Sequence, residues 1–246
     1  MSRPDRITPW SRSDTNECVR GFGAASSVGD VIVRDAEIRE DLAEAHRLSL
    51  VHVASPGARL TAARRVQIAE VVREAYLAVE PSPPWVRPFG DPMLDVAYRL
   101  ARHAGTITEQ LYEQTIAEGI HPLEFVEILG VVIATIAPTA FARGAGLPLP
   151  KLPSPVAGAP TGREAVELAP ATLNWVPVAA PADQVASVVQ ALSALPDEWD
   201  NLWRLAGAQY MSDRQMDDPL WNRGTLSRPQ MELIAGRLSL IRECFF

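Results

Sequence analysis

The sequence predicts an all-α protein. Apolar residues recur at three- and four-residue spacing from about residue 35 onward, which is the period of a helix with one buried face. Helix-starting and helix-stopping residues bracket those runs. Only two short stretches, GDVIVRD (29–35) and NWVPVAA (174–180), alternate in the manner of a strand.

The elements follow in order. Residues 1–28 are polar, glycine-dotted and unpatterned, and read as an arm or disordered leader. From Asp35, DAEIREDLAEAHRLSLVHVAS runs with few breakers until Pro56. Thr61 can cap AARRVQIAEVVREAYLAVE, in which Val66, Ala69, Val72 and Tyr76 share a face. EPSPPWVRPFGDP (80–92) is a proline-rich turn. Asp91 followed by Pro92 starts MLDVAYRLARHAG, because a proline at the first helical position loses no bond it would have made; Gly105 closes that helix. Thr106 or Thr108 starts TEQLYEQTIAEG, which stops at Gly119. HPLEFVEILGVVIATIAPTAFARGAG is the longest apolar helix, and Pro138 is expected to kink or interrupt it. Leu147 to Pro181 holds eight prolines and is expected to cross the protein as extended chain. The helical pattern resumes in DQVASVVQALSALPDEWDNLWRLAGAQYM, where Trp199 and Trp203 are four apart and share a face. The last helix covers roughly 227–240, with a stripe of Met231, Ile234, Leu238, Ile241 and Phe245.

Composition limits the function classes. The 246 residues suffice for one large domain or two small ones, and 47% hydrophobic with 22% charged residues fits a globular core. A net charge of −7 argues against non-specific nucleic-acid binding, which needs a basic face. The two cysteines, Cys18 and Cys244, allow one disulfide at most and no zinc spacing, and so few thiols fit a reducing compartment. The N-terminus has no apolar signal region, and the apolar run 130–142 is too short to span a bilayer. The expectation is a cytoplasmic protein with no membrane association, no metal and no cofactor.

Few residues stand out as candidate chemistry. The histidines at 46, 52, 103 and 121 have no carboxylate or cysteine at ligand spacing. His121, before Pro122, reads as a helix-start residue; the alternative is a small polar site with Glu124 and Glu127. Ser193 reads as a cap or turn hydroxyl, and Cys18 carries no evident role. Glu232 is either a solvated helix residue or an acid–base group, and Cys244 either a buried small hydrophobe or a reactive thiol.

There is a faint internal echo. LTAARRVQIAEVVREAYLA (60–78) aligns with LSRPQMELIAGRLSLIREC (226–244) at an offset of 166, sharing the leucine, a Ser/Thr cap and a central Ile–Ala. The second of these segments resembles the signature helix of the alkylhydroperoxidase AhpD-like and carboxymuconolactone decarboxylase superfamily. ALSALPDEWDNLWRLAGAQYM is similar to the leader that precedes that helix. YEQTIAEGIHPLEFVEILGVVIATIAPTAFARGAGLPLPKLP, within Asp95 to Pro153, is similar to the family's later helices. In that family a glutamate is followed twelve residues later by the first cysteine of a CxxC pair, and a histidine lies four residues after the second. Glu232 and Cys244 stand twelve apart.

The resemblance covers about 35 to 246 and implies an AhpD-like helical fold with a degenerate first copy at 29–146, a proline-rich linker at 147–181 and a second copy at 182–246. In the first copy Val66 and Ala78 occupy the positions matched to Glu232 and Cys244. The family's second cysteine would be residue 247, so the chain stops within the motif. Three explanations fit: an expressed fragment, a degenerate gene, or a UGA codon read as selenocysteine.

The implied function is a thiol-dependent peroxidase or disulfide reductase, an oxidoreductase of hydroperoxides recycled by a thiol or dithiol. Glu232 and Cys244 are its candidate catalytic residues, with Cys244 as the resolving thiol, and family members assemble as homo-oligomers. With one thiol of the pair, the chain alone is expected to turn over little peroxide. A thiolate is favoured at a helix N-terminus, and a nearby carboxylate can move its proton. One straight helix would hold Glu232 and Cys244 about 18 Å apart, so a break before Cys244 is required. The alternatives are a non-catalytic helical oligomerisation or binding module, and a lyase of the decarboxylase branch.

Overall fold

In the computed structural model, residues 38–169, 174–181 and 187–241 are described, without the side chains of 189 and 213. Helix α1 (Glu40–Val53) opens with Glu40 and Asp41 and buries Leu42, Ala45, Ser49, Leu50 and Val53, the three-and-four spacing of one face. Helix α2 (Ala62–Leu77) is capped by Thr61, whose side chain accepts from the Arg64 amide. Helix α3 (Pro92–Arg102) is capped by Asp91, which accepts from the Met93 amide at 2.9 Å. A 3-10 turn (Ala104–Thr106) leads into α4 (Glu109–Ala117). Thr108 caps α4; the Thr106 hydroxyl instead accepts from Arg99 and donates to the His103 carbonyl.

Helix α5 (Pro122–Gly144) is the central element, followed by a two-residue antiparallel ladder of β1 (Leu168–Ala169) and β2 (Val178–Ala179). Then come α6 (Ser187–Gln190), α7 (Pro196–Gln209), α8 (Asp213–Met216) and α9 (Arg228–Ile241). The described chain is therefore all-α apart from that ladder; its β2 strand falls inside NWVPVAA, its β1 strand lies in a stretch without strand-like alternation, and GDVIVRD lies outside the described residues. The Trp199 and Trp203 rings meet edge to face, 6.1 Å apart.

The main core forms between α2, α3 and α5, with Ile68, Val72, Ala97, Ile128 and Val131 at its centre. Helix α7 lies against α1 and α5, so a helix from the expected second copy packs within the same unit as the first. The proline-rich stretch runs as extended chain along the α1–α2 connection. There the Val156 amide donates to the Ala54 carbonyl, the Thr161 amide to Gly57 and the Gly162 amide to Ala58. Helix α5 is long and apolar enough to cross a membrane, with mean hydropathy 2.0, but 67% of its apolar window is buried inside the protein, as in a core helix.

Of the two expected outcomes at Pro138, a kink or an interruption, interruption does not occur: α5 continues through it. Proline removes the amide that would serve the carbonyl four residues back, at Ala134. That carbonyl accepts instead from Ser49 Oγ of α1 at 3.2 Å, and Ser49 Oγ accepts from Asn201 Nδ2 of α7 at 3.2 Å. All of this is buried, so the defect in one helix becomes a polar joint among three.

Ser49→Ala is expected to cost about 1–3 kcal/mol in urea unfolding, the penalty of an orphaned buried acceptor. The loss should shrink in a Pro138→Ala background, where residue 138 regains an amide for Ala134. Strictly additive losses across the four proteins of this cycle would refute the account.

Candidate functional site

The most concentrated chemistry lies where α1, α2, α5 and α7 meet. Arg65 falls on the buried stripe of α2 with Ile68, Ala69 and Val72, so its side chain is carried into the core. Glu127 arrives from the middle of α5 and Glu198 from the first turn of α7, and all three are buried to 2% exposure or less. Arg65 Nη1 donates to Glu127 Oε1 at 2.6 Å and to Glu198 Oε1 at 2.5 Å. Arg65 also donates to the carbonyls of His52 and Val53, the open C-terminal end of α1, where a cation suits the helix dipole.

The remaining carboxylate oxygens are engaged as well. Glu127 Oε2 accepts the amides of Arg59 at 2.8 Å and Leu60 at 3.2 Å. Glu198 Oε2 lies 2.9 Å from His52 Nε2, whose side chain, 17% exposed, is the cluster's contact with solvent. Two glycines make room: a Cβ at Gly57 would overlap Glu127 and Arg65, and one at Gly130 would overlap the Glu198 carboxylate.

The two carboxylates are driven apart in acidity. Burial pushes Glu198 up, but the Arg65 charge and the His52 hydrogen bond outweigh it and hold it below the usual carboxylate range. Burial dominates at Glu127, which lies above that range although Arg65 and the Arg59 amide oppose the shift. Arg65 remains a cation. Mutually satisfied and closed in, the cluster acts as a brace between four helices.

The sequence candidates lie elsewhere. Glu232 sits on α9 with its side chain 48% exposed, and Arg228 Nε donates to it at 2.5 Å. Hydrogen bonds from Arg228 and then Tyr210 hold its carboxyl below the ordinary range. Cys244, Cys18 and Phe245 lie outside the described residues. Of the α9 stripe Met231 is buried, whereas Ile234, Leu238 and Ile241 are exposed.

The other candidates take structural places. His121 caps α5: its Nδ1 accepts the Leu123 amide at 3.1 Å, and Glu124 accepts the His121 amide at 2.9 Å. Glu127 turns inward to Arg65, so it forms no site with His121. Ser193 Oγ accepts the Ala179 amide at 2.9 Å, a turn hydroxyl tied to β2.

Spacing along the chain missed the His52–Glu198 pair, because its members are 146 positions apart. A signal existed nonetheless. Arg65 and Glu127 are charged residues on stripes that are otherwise apolar, and a charge there needs a partner. Among the described residues no group of three His, Cys, Asp or Glu converges to hold a metal. Comparison with family models, curated proteins and solved structures gave no match.

Arg65→Met leaves two buried carboxylates without their cation and is expected to cost about 3–5 kcal/mol near neutral pH. Without Arg65, burial raises the folded-state pKa of both carboxyls above the unfolded value. The folded state then binds protons more tightly, so the variant should regain stability as pH falls from 8 towards 5. Urea unfolding across that range checks this; a loss that does not change with pH would contradict it.

Proposed function

We propose that the chain is an AhpD-like redox protein that reduces hydroperoxides or disulfides, with Cys244 as a reactive sulfur and Glu232 as its proton acceptor. The observation that carries this reading is the register of α2 and α9. At the offset of 166, the α2 start, Ala62, falls on Arg228, where α9 begins, and the preceding residues Thr61 and Ser227 coincide. Ala78, the residue matched to Cys244, is where α2 ends and the backbone turns extended, with ψ 129°. At this offset the position matched to Cys244 follows a helix C-terminus, and the reading further requires a new helix to begin at Cys244. Glu232 is half-exposed, and the Arg228 hydrogen bond holds its carboxyl in the charged form.

The balance is two-electron. One hydroperoxide and two thiols give one alcohol, one water and one disulfide. Cys244 supplies one sulfur and a thiol of the reductant the other, and a second reductant thiol then releases Cys244 from the mixed disulfide. Glu232 takes the thiol proton as sulfur attacks and passes it to the departing oxygen.

A second reading, a helical module for homo-oligomerisation, is favoured by the open face of α9. Leu233, Ile234, Leu238, Leu240 and Ile241 are between 51% and 74% exposed.

Thiol–disulfide exchange with a small aromatic disulfide separates the two readings. Under the redox reading, Cys244 in the folded protein reacts at pH 6 about tenfold or more faster than glutathione, and Glu232→Gln shifts the pH profile of the rate. A thiol inert until unfolding, in an oligomer that Leu238→Glu dissociates, would favour the assembly module instead.

A further inference from the structure

A groove of about 400 Å³ opens on the opposite side of α1 from the Arg65 cluster's brace into the core, between α1, the C-terminal part of α5 and residues 147–153. Its walls are Leu50, Val51, Phe141 and Ala142, closed by prolines 138, 148, 150 and 153. Proline backbone is stiff, so this wall is formed before any ligand arrives.

The polar groups at the groove are few and mostly spoken for. Arg47 is held by both oxygens of Glu44, each at 2.7 Å. His46 meets the Gln209 amide nitrogen at 2.9 Å and the Phe141 ring edge-on, and burial lowers its pKa, so it presents a neutral ring. That leaves Lys151, the single lysine of the sequence. It is exposed, lines the groove, and has no carboxylate partner among the described residues.

We propose that this groove binds a single-chain aliphatic carboxylate, with the acyl chain against Leu50, Val51 and Phe141 and the carboxylate on the Lys151 ammonium. An apolar cleft of this size with one cation at its rim is complementary to an amphiphile with an anionic head. The aliphatic chain supplies the affinity by leaving water, and the charge supplies the choice of head group. The site uses neither Glu232 nor Cys244 and stands independently of the redox reading.

Isothermal titration of the full chain with dodecanoate tests it, with 1-dodecanol and dodecyltrimethylammonium as head-group controls. One dodecanoate per chain is expected. Lys151→Gln should weaken dodecanoate about two- to fivefold while leaving dodecanol unchanged, the range of an exposed charge pair. Val51→Trp, at a 39% exposed rim position that tolerates bulk, should weaken both. Absence of binding, equal binding of the cationic detergent, or indifference of dodecanoate to Lys151→Gln each overturns the proposal. So does a concentration-dependent dimer that Val51→Trp dissolves and dodecanoate does not compete, since the groove then holds a second copy of the chain.

Discussion

The fold depends on one buried cation. Arg65 has no route to solvent, and a guanidinium in a protein core is tolerated only where carboxylates and carbonyls surround it. Those partners come from α1, α5 and α7, so the charge is satisfied only when all four helices are assembled. This makes the cluster a test of correct packing as much as a source of stability.

Helix α5 carries the consequence along its length. Glu127 meets Arg65 and the 59–60 backbone, and one turn on Gly130 admits the Glu198 carboxylate. A further turn on, the Ala134 carbonyl accepts from Ser49, freed to do so by Pro138. These positions recur every three or four residues, so they form a polar seam down a helix that is otherwise apolar. Helices α1 and α7 dock on that seam, and its spacing sets their register against α5.

The surfaces on which function is proposed lie away from the seam. Helix α9 touches the body chiefly through Met231 and the Arg228 contacts to the carbonyls of Gln215 and Met216, and turns its remaining apolar side chains outward. The redox reading and the assembly reading both draw on this helix, the first through Glu232 and its matched register with α2, the second through the open face. The groove beside α1 is built differently, with a preformed proline wall and a lone ammonium, and its chemistry is that of a ligand site.

Local rules alone settled much of this protein. Helical periodicity, the caps at Thr61 and Asp91, the starts at Pro92 and Pro122 and the extended proline-rich stretch were all legible, because each depends on neighbours within a few residues. The place of the glutamate on α9 was legible for the same reason. Sequence spacing could not show His52 beside Glu198, the choice of Thr108 over Thr106, or the rescue of Pro138 by Ser49. Those were decided by tertiary packing, since desolvation makes a buried charge or an orphaned carbonyl seek whichever partner the fold brings within about 3 Å, however distant in the chain.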